Sequence, residues 1–110
     1  MANTHSLDLE LSSSQYSKIA DGSQAGLDIT GDITLEAWIK LEQLPSTAGT
    51  AFVIGGKRDT GANQRSYALA IDSSDDKVTF QYSSDGESGT ENLFKMDAAL
   101  TSSDVGVWVH

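Results

Sequence analysis

The residues of this chain that could do chemistry are carboxylates and aromatic rings. The densest carboxylate group is Asp72-Ser-Ser-Asp-Asp76, which puts three acids in one short loop. Hard cations take several oxygen ligands at once, so Asp72, Asp75 and Asp76 are the candidate metal ligands, and calcium is the ion they would suit. Asp85-Gly-Glu87 and Asp21-Gly22 offer further oxygens on other loops. Asp, Ser and Gly are equally the ordinary residues of tight turns, and nothing matches the spacing of the helix–loop–helix calcium site. We therefore expect no cofactor to be required, with calcium as the one this loop would accept.

Acid–base and nucleophilic chemistry find less support. Glycoside hydrolysis needs two carboxyls facing one sugar ring. Asp8 and Glu10 share one face of an alternating segment, but no aromatic residues flank them, and a solvated strand face accounts for both. His5 lies near the N-terminus and His110 is the last residue; neither has a sequence partner that would orient it as a base. Gly55-Gly56-Lys57 lacks the spacing of a phosphate-binding loop. We expect no catalytic residue and no enzyme. Trp38, Tyr67, Phe80, Tyr82 and Trp108 are rings that could stack on a sugar if they faced solvent. With two Trp, three Tyr and three Phe in all, most should lie in the core. Tyr82 and Trp108 are the expected exceptions, because an amphipathic ring tolerates a wet edge. The ligand-binding residues are not otherwise defined by the sequence.

The elements that must position these groups are strands. The 110 residues suit a single domain, and 38% hydrophobic content is enough for a core. Segments 6–11, 33–41, 66–72, 77–83 and 105–109 alternate apolar and polar residues, the period of a half-buried strand. The run 33–41 is the clearest: Ile33, Leu35, Ala37, Ile39 and Leu41 point one way, and Thr34, Glu36, Trp38 and Lys40 the other. Weaker strand candidates are 16–19 and the apolar run 51–54, which Gly55-Gly56 closes. Pro45 should break the chain into a loop. A helical turn is expected near Ala25, and loops at 57–65 and around Asp85-Gly86 and Gly89. About seven short strands at this spacing describe an all-β antiparallel sandwich.

The balance of 7 Lys+Arg against 16 Asp+Glu gives a net charge of -9. Such a surface repels polyanions, so nucleic acid and anionic membranes are not expected partners. With no cysteine there is neither a disulfide framework nor a thiolate metal site. The first residues lack the basic and apolar regions of a signal peptide, and no apolar stretch reaches the length of a membrane span.

Three segments carry a family resemblance: Ser6-Leu-Asp-Leu with Tyr16-Ser-Lys-Ile-Ala-Asp21; Ile33-Thr-Leu-Glu-Ala-Trp-Ile-Lys40; and Trp108-Val-His110. Together they resemble the laminin G-like domain of the concanavalin A-like lectin/glucanase superfamily. The second is similar to its recurrent Thr-Ile-Glu-Ala-Trp-Val-Lys strand, and the third to its Trp-x-His-Val-Ala strand. The resemblance implies a jelly-roll-type sandwich whose members bind glycans, proteins or calcium in secreted, surface and viral-particle settings. Glu36 matches a family position, where it should be a structural carboxylate beside Trp38. Asp8 and Glu10 lack the Glu-x-Asp-x-x-Glu pattern of the hydrolytic relatives. We thus expect 1–110 to be a single domain of this type, the N-terminal portion of the family domain, truncated at the Trp-x-His strand. Its expected function is a non-catalytic binding or structural module, the alternative being a fragment of a glucanase-like enzyme. Each large apolar side chain left uncovered by missing strands would forfeit about 1.5–3 kcal/mol, so the expected partner is the chain itself or a complementary chain, with glycan or protein as ligand.

Overall fold

The computed structural model describes residues 5–29, 31–59, 64–87 and 89–110. The chain divides into two compact units, Met1–Asp32 and Ile33–His110.

In the first unit, residues 5–10 carry no regular secondary structure and are followed by three single-turn 3-10 helices, Leu11–Ser13, Asp21–Ser23 and Ala25–Leu27. The last is the helical turn expected near Ala25. Ser14 donates its amide to the Leu11 carbonyl at 2.9 Å, and its left-handed φ of 50° turns the following Gln15 amide back to the Glu10 carbonyl at 3.3 Å. The strands expected at 6–11 and 16–19 do not form, and Leu7, Leu9, Leu11, Tyr16 and Ile19 are all exposed. Alternation specifies which side a strand would bury, but an extended segment becomes a strand only when a neighbour takes its backbone hydrogen bonds. The described residues of this unit provide no such neighbour.

The second unit holds two antiparallel sheets. The 33–41 segment behaves as its pattern requires: Ile33, Leu35, Ala37 and Ile39 are half-buried and Leu41 buried, whereas Thr34, Glu36, Trp38 and Lys40 are exposed. Only β1 (Ile39–Lys40) is laddered, to β6 (Trp108–Val109), with Ile39 opposite Val109 and Lys40 opposite Trp108. Pro45, expected only as a breaker, begins a one-turn helix, α1 (Pro45–Ala48). Its fixed φ suits the first helical position, where a missing N–H costs nothing.

The second sheet is a meander, β2 (Phe52–Asp59), β3 (Gln64–Ile71), β4 (Lys77–Tyr82) and β5 (Asn92–Ala99), in that spatial order. Two features depart from expectation. β2 continues through Gly55-Gly56 into residues expected as loop, with register irregularities between Val53 and Gly55 and between Lys57 and Arg58, and at Gly56 the β3 backbone leaves no room for a side chain. A Cβ there would strike the Tyr67 carbonyl oxygen and sit 2.7 Å from Ala68 Cα. β5 occupies residues to which the sequence pattern assigned no strand; its residues are exposed throughout. Side chains of Leu69, Phe80 and Phe94, which are directly opposite one another, share one face with Tyr67, Ile71, Val78 and Tyr82. The core centres on β3, where Tyr67, Ala68, Ala70 and Ile71 are all buried, joined by Thr79 of β4 and by Leu41.

The glycine pair makes a controlled test. Gly56→Ala should cost about 1–3 kcal/mol, the usual penalty of overpacking, because the two nearest atoms it meets are backbone and cannot swing away. Gly55→Ala, whose added methyl meets nothing within 4 Å, should leave the denaturant midpoint close to that of the parent chain.

Candidate functional site

Two kinds of surface in the second unit carry chemistry, turns stapled by carboxylates and sheet faces bearing open aromatic rings. The β3–β4 hairpin turn is closed by backbone bonds from the Asp72 amide to the Lys77 carbonyl, 3.0 Å, and from the Asp76 amide to the Asp72 carbonyl, 3.0 Å. Asp76 holds a left-handed φ of 54°, a conformation that Asp and Asn accept more readily than most residues.

The three acids singled out as metal ligands do lie together in this turn, but their oxygens are directed to groups of the protein. Asp72 Oδ2 and Asp75 Oδ2 receive the Lys95 ammonium at 2.8 and 3.0 Å. Asp72 Oδ1 accepts from the Ser74 amide and hydroxyl, both at 2.8 Å. Asp76 reaches across to α1, accepting from the Ser46 amide at 2.8 Å and the Ser46 hydroxyl at 2.6 Å. The N-cap residue Leu44 has no side-chain acceptor of its own, so Asp76 caps that turn from a distance in sequence. A calcium ion between Asp72 and Asp75 would have to displace a cation already paired with both.

The β4–β5 loop is organised in the same way. Asp85 Oδ1 accepts from the Ser83 hydroxyl, the Glu87 amide and the Thr90 hydroxyl at 2.9, 3.0 and 2.8 Å. Glu91 accepts from the Gly89 amide at 2.6 Å and lies 3.1 Å from Arg65 Nε and 4.0 Å from Arg58 Nη2. Arg58 and Arg65 are cross-strand partners on β2 and β3. Like charges so placed repel, and Glu91 supplies the charge that offsets them.

These contacts fix the ionisation of the loops. The Lys95 ammonium, with help from Ser74, holds the Asp72 carboxyl far below the usual carboxylate range. Asp72, and next to it Asp75, push the Lys95 amine up. The Glu87 amide, then the Thr90 and Ser83 hydroxyls, lower Asp85, and its own amide and that of Gly89 lower Glu91.

The aromatic residues divide differently from expectation. Tyr67 is buried and Phe80 half-buried, and Tyr82 and Trp108 are exposed as expected. Trp38, 66% exposed, and Phe94, 60% exposed, join them, so most rings are not in the core. The described layers leave their faces of the sheets uncovered. Tyr82 and Phe94 stack with centroids 6.2 Å apart and planes 10° from parallel. Trp38 stacks on His110 at 4.9 Å and 22°, and His110 Nε2 lies 3.9 Å from Glu36 Oε2. Glu36 therefore sits beside the Trp38–His110 pair, on a solvated face. Asp8 and Glu10 are exposed in the first unit, where the Glu10 amide donates to Gln15 Oε1 at 3.0 Å; His5 is also exposed. The side chain of Asp21 falls outside the described residues.

One open cleft of about 120 Å³ lies between Leu35, Glu36 and Ala37 on one side and Ile54, Gly55, Gly56 and Leu69 on the other. This is smaller than the roughly 300–1,000 Å³ of typical small-molecule pockets. Sequence reasoning missed Phe94 because it assigns no strand to 92–99. Leu93, Phe94 and Met96 in close succession were the available signal.

An open pair of antiparallel sheets with little helix is an all-β sandwich architecture. The family model of the laminin G type, described as the concanavalin A-like lectin/glucanases superfamily, matches residues 11–110. The chain belongs to that family. No curated protein and no solved structure matches it. Among the described residues, no helix is long and apolar enough to cross a membrane.

The hairpin clamp has a defined pH window. Because the Asp72 pKa is depressed, its contribution is complete above the unfolded carboxyl value of about 3.9 and is lost as pH falls through the folded value. Because the Lys95 pKa is raised, its contribution is complete below the unfolded amine value of about 10.4 and is lost as pH rises through the folded value. Lys95→Met should therefore move the Asp72 carboxyl titration, followed by NMR, upward toward the ordinary range. An unchanged Asp72 midpoint would rule the clamp out.

Proposed function

We propose that this chain is a non-catalytic binding or assembly module. It engages a glycan or a protein, including a second copy of itself, through aromatic rings on uncovered sheet faces. The observation that carries this reading is the Tyr82–Phe94 stack on the β4–β5 face, both rings exposed, with Met96, two residues along the same edge strand, also exposed. Contiguous exposed apolar surface is unusual on a monomer and marks interaction sites. Aromatic faces pack equally well on the apolar side of a sugar ring or on a protein side chain. Membership of a superfamily that includes lectins is consistent with either ligand.

A non-catalytic role is supported by the carboxylates of the two loops. The general acid of a glycoside hydrolase needs a raised pKa, and those of Asp72, Asp85 and Glu91 are displaced the other way. Calcium in the Asp72–Asp76 turn is the secondary proposal, at the cost of the Lys95 pairing.

Sedimentation velocity across a concentration series, together with a glycan array, tests the reading. Self-association or retention of a glycan class is expected. Phe94→Ser should weaken either by about tenfold or more, the effect of losing about 1.5–3 kcal/mol of aromatic burial. A monodisperse monomer that retains no glycan would overturn the proposal, as would turnover of a β-glucan that disappears in Glu10→Gln.

A further inference from the structure

The loop between β4 and β5 contains Asp85-Gly86, a dipeptide whose own covalent chemistry the proposed function does not use. In such a pair the Gly amide nitrogen can attack the Asp side-chain carbon. The nitrogen loses its proton, the Cγ–OH bond of the protonated carboxyl breaks, and one water leaves, giving a cyclic succinimide. Water then opens the ring at either carbonyl, restoring aspartate or leaving an isoaspartyl linkage that routes the main chain through Cβ. No oxidant or reductant is needed, and water is the only co-reactant. Glycine favours the step because no Cβ hinders its nitrogen.

We propose that Asp85-Gly86 is a latent isoaspartyl modification site that the fold holds closed, so that its conversion is gated by opening of the β4–β5 loop. Three sets of contacts oppose the reaction. The Asp85 carboxylate is fixed by the Ser83 hydroxyl, the Glu87 amide and the Thr90 hydroxyl, all on Oδ1, so the side chain is not free to rotate toward the following nitrogen. That nitrogen is itself engaged, the Gly86 N–H donating to Ser83 Oγ at 2.9 Å. The Gly86 carbonyl is tied to β3 through the Arg65 amide at 3.3 Å, and Gly86 sits at φ 78°, a conformation an L-residue rarely adopts. The depressed Asp85 pKa adds to the protection, because ring closure proceeds through the protonated carboxyl. Ser83 is the keystone, since one hydroxyl both donates to the carboxylate and accepts from the nucleophile. Conversion would insert a methylene into the main chain and remove the carboxylate from Ser83, Glu87 and Thr90. The loop would then lose the contacts that deliver Glu91 to Arg65.

The test is site-resolved peptide mapping of the full chain aged at neutral pH, native and in denaturant. The second Asp-Gly pair, Asp21-Gly22, serves as an internal clock. Isoaspartate at position 85 should accumulate far more slowly in the native chain than in the denatured one. Thr90→Val should speed it about fivefold, the change expected from losing one ordinary hydrogen bond. Ser83→Ala, which removes two contacts, should speed it further. Thr90→Ser, which keeps a hydroxyl, should stay close to the parent rate and shows that the effect is not a general loss of folding. Equal native and denatured rates at Asp85, or a Thr90→Val rate equal to the parent's, would overturn the proposal.

Discussion

A β-strand is secure only when both of its edges are hydrogen-bonded and its side chains are shielded from water. In this chain β3 meets both conditions. It is flanked by β2 and β4 and contributes Tyr67, Ala68, Ala70 and Ile71 to the core, with Ala68 and Ile71 wholly inaccessible. The close approach of β2 that covers it depends on the absence of a side chain at Gly56. Burial falls away from β3 in sequence of pairing: β4 keeps Thr79 buried and Phe80 half-buried, while β5 is exposed along its length. The aromatic surface proposed to bind a partner therefore lies at the sheet's outer side, where rings remain attached to a well-ordered ladder without being consumed by the core.

The acidic composition acquires a specific meaning from the turns. Asp72 and Asp75 hold Lys95, Asp76 caps α1, Asp85 gathers three donors, Glu91 separates two arginines, and Asp104 closes the 3-10 turn Ser102–Asp104 through the amide and hydroxyl of Thr101. Much of the negative charge in the second unit thus secures the connections between strands. A meander depends on its turns for register, because a slip of one residue would invert every side chain. The best-placed oxygens of these acids each face a positive charge or a polar hydrogen of the protein.

Several elements were legible in the sequence. The period of two over 33–41 gave the burial side of every residue in that segment, although only Ile39 and Lys40 are laddered. The apolar positions of β3 and β4 fell on the expected face, and the motif around Trp38 pointed to the family. Other elements were not legible. β5 does alternate Phe94, Met96 and Ala98 with Lys95 and Asp97, but the run is short and ends in alanines of low strand propensity; pairing with β4 makes it a strand. The regular alternation of Leu7, Leu9 and Leu11 misled in the opposite direction, because it describes a face without providing a neighbour.

The amino-acid order by itself determined the all-β class, the family, the acidic surface and the turn-forming carboxylates, because each depends on local residue type and spacing. Only the tertiary structure decided which segments pair, that Lys95 rather than an open cavity occupies the Asp72–Asp75 turn, and that Trp38 and Phe94 face water. Those outcomes depend on contacts between residues distant in sequence, and neither hydrogen-bond partnership nor shielding from solvent is a property of one segment alone.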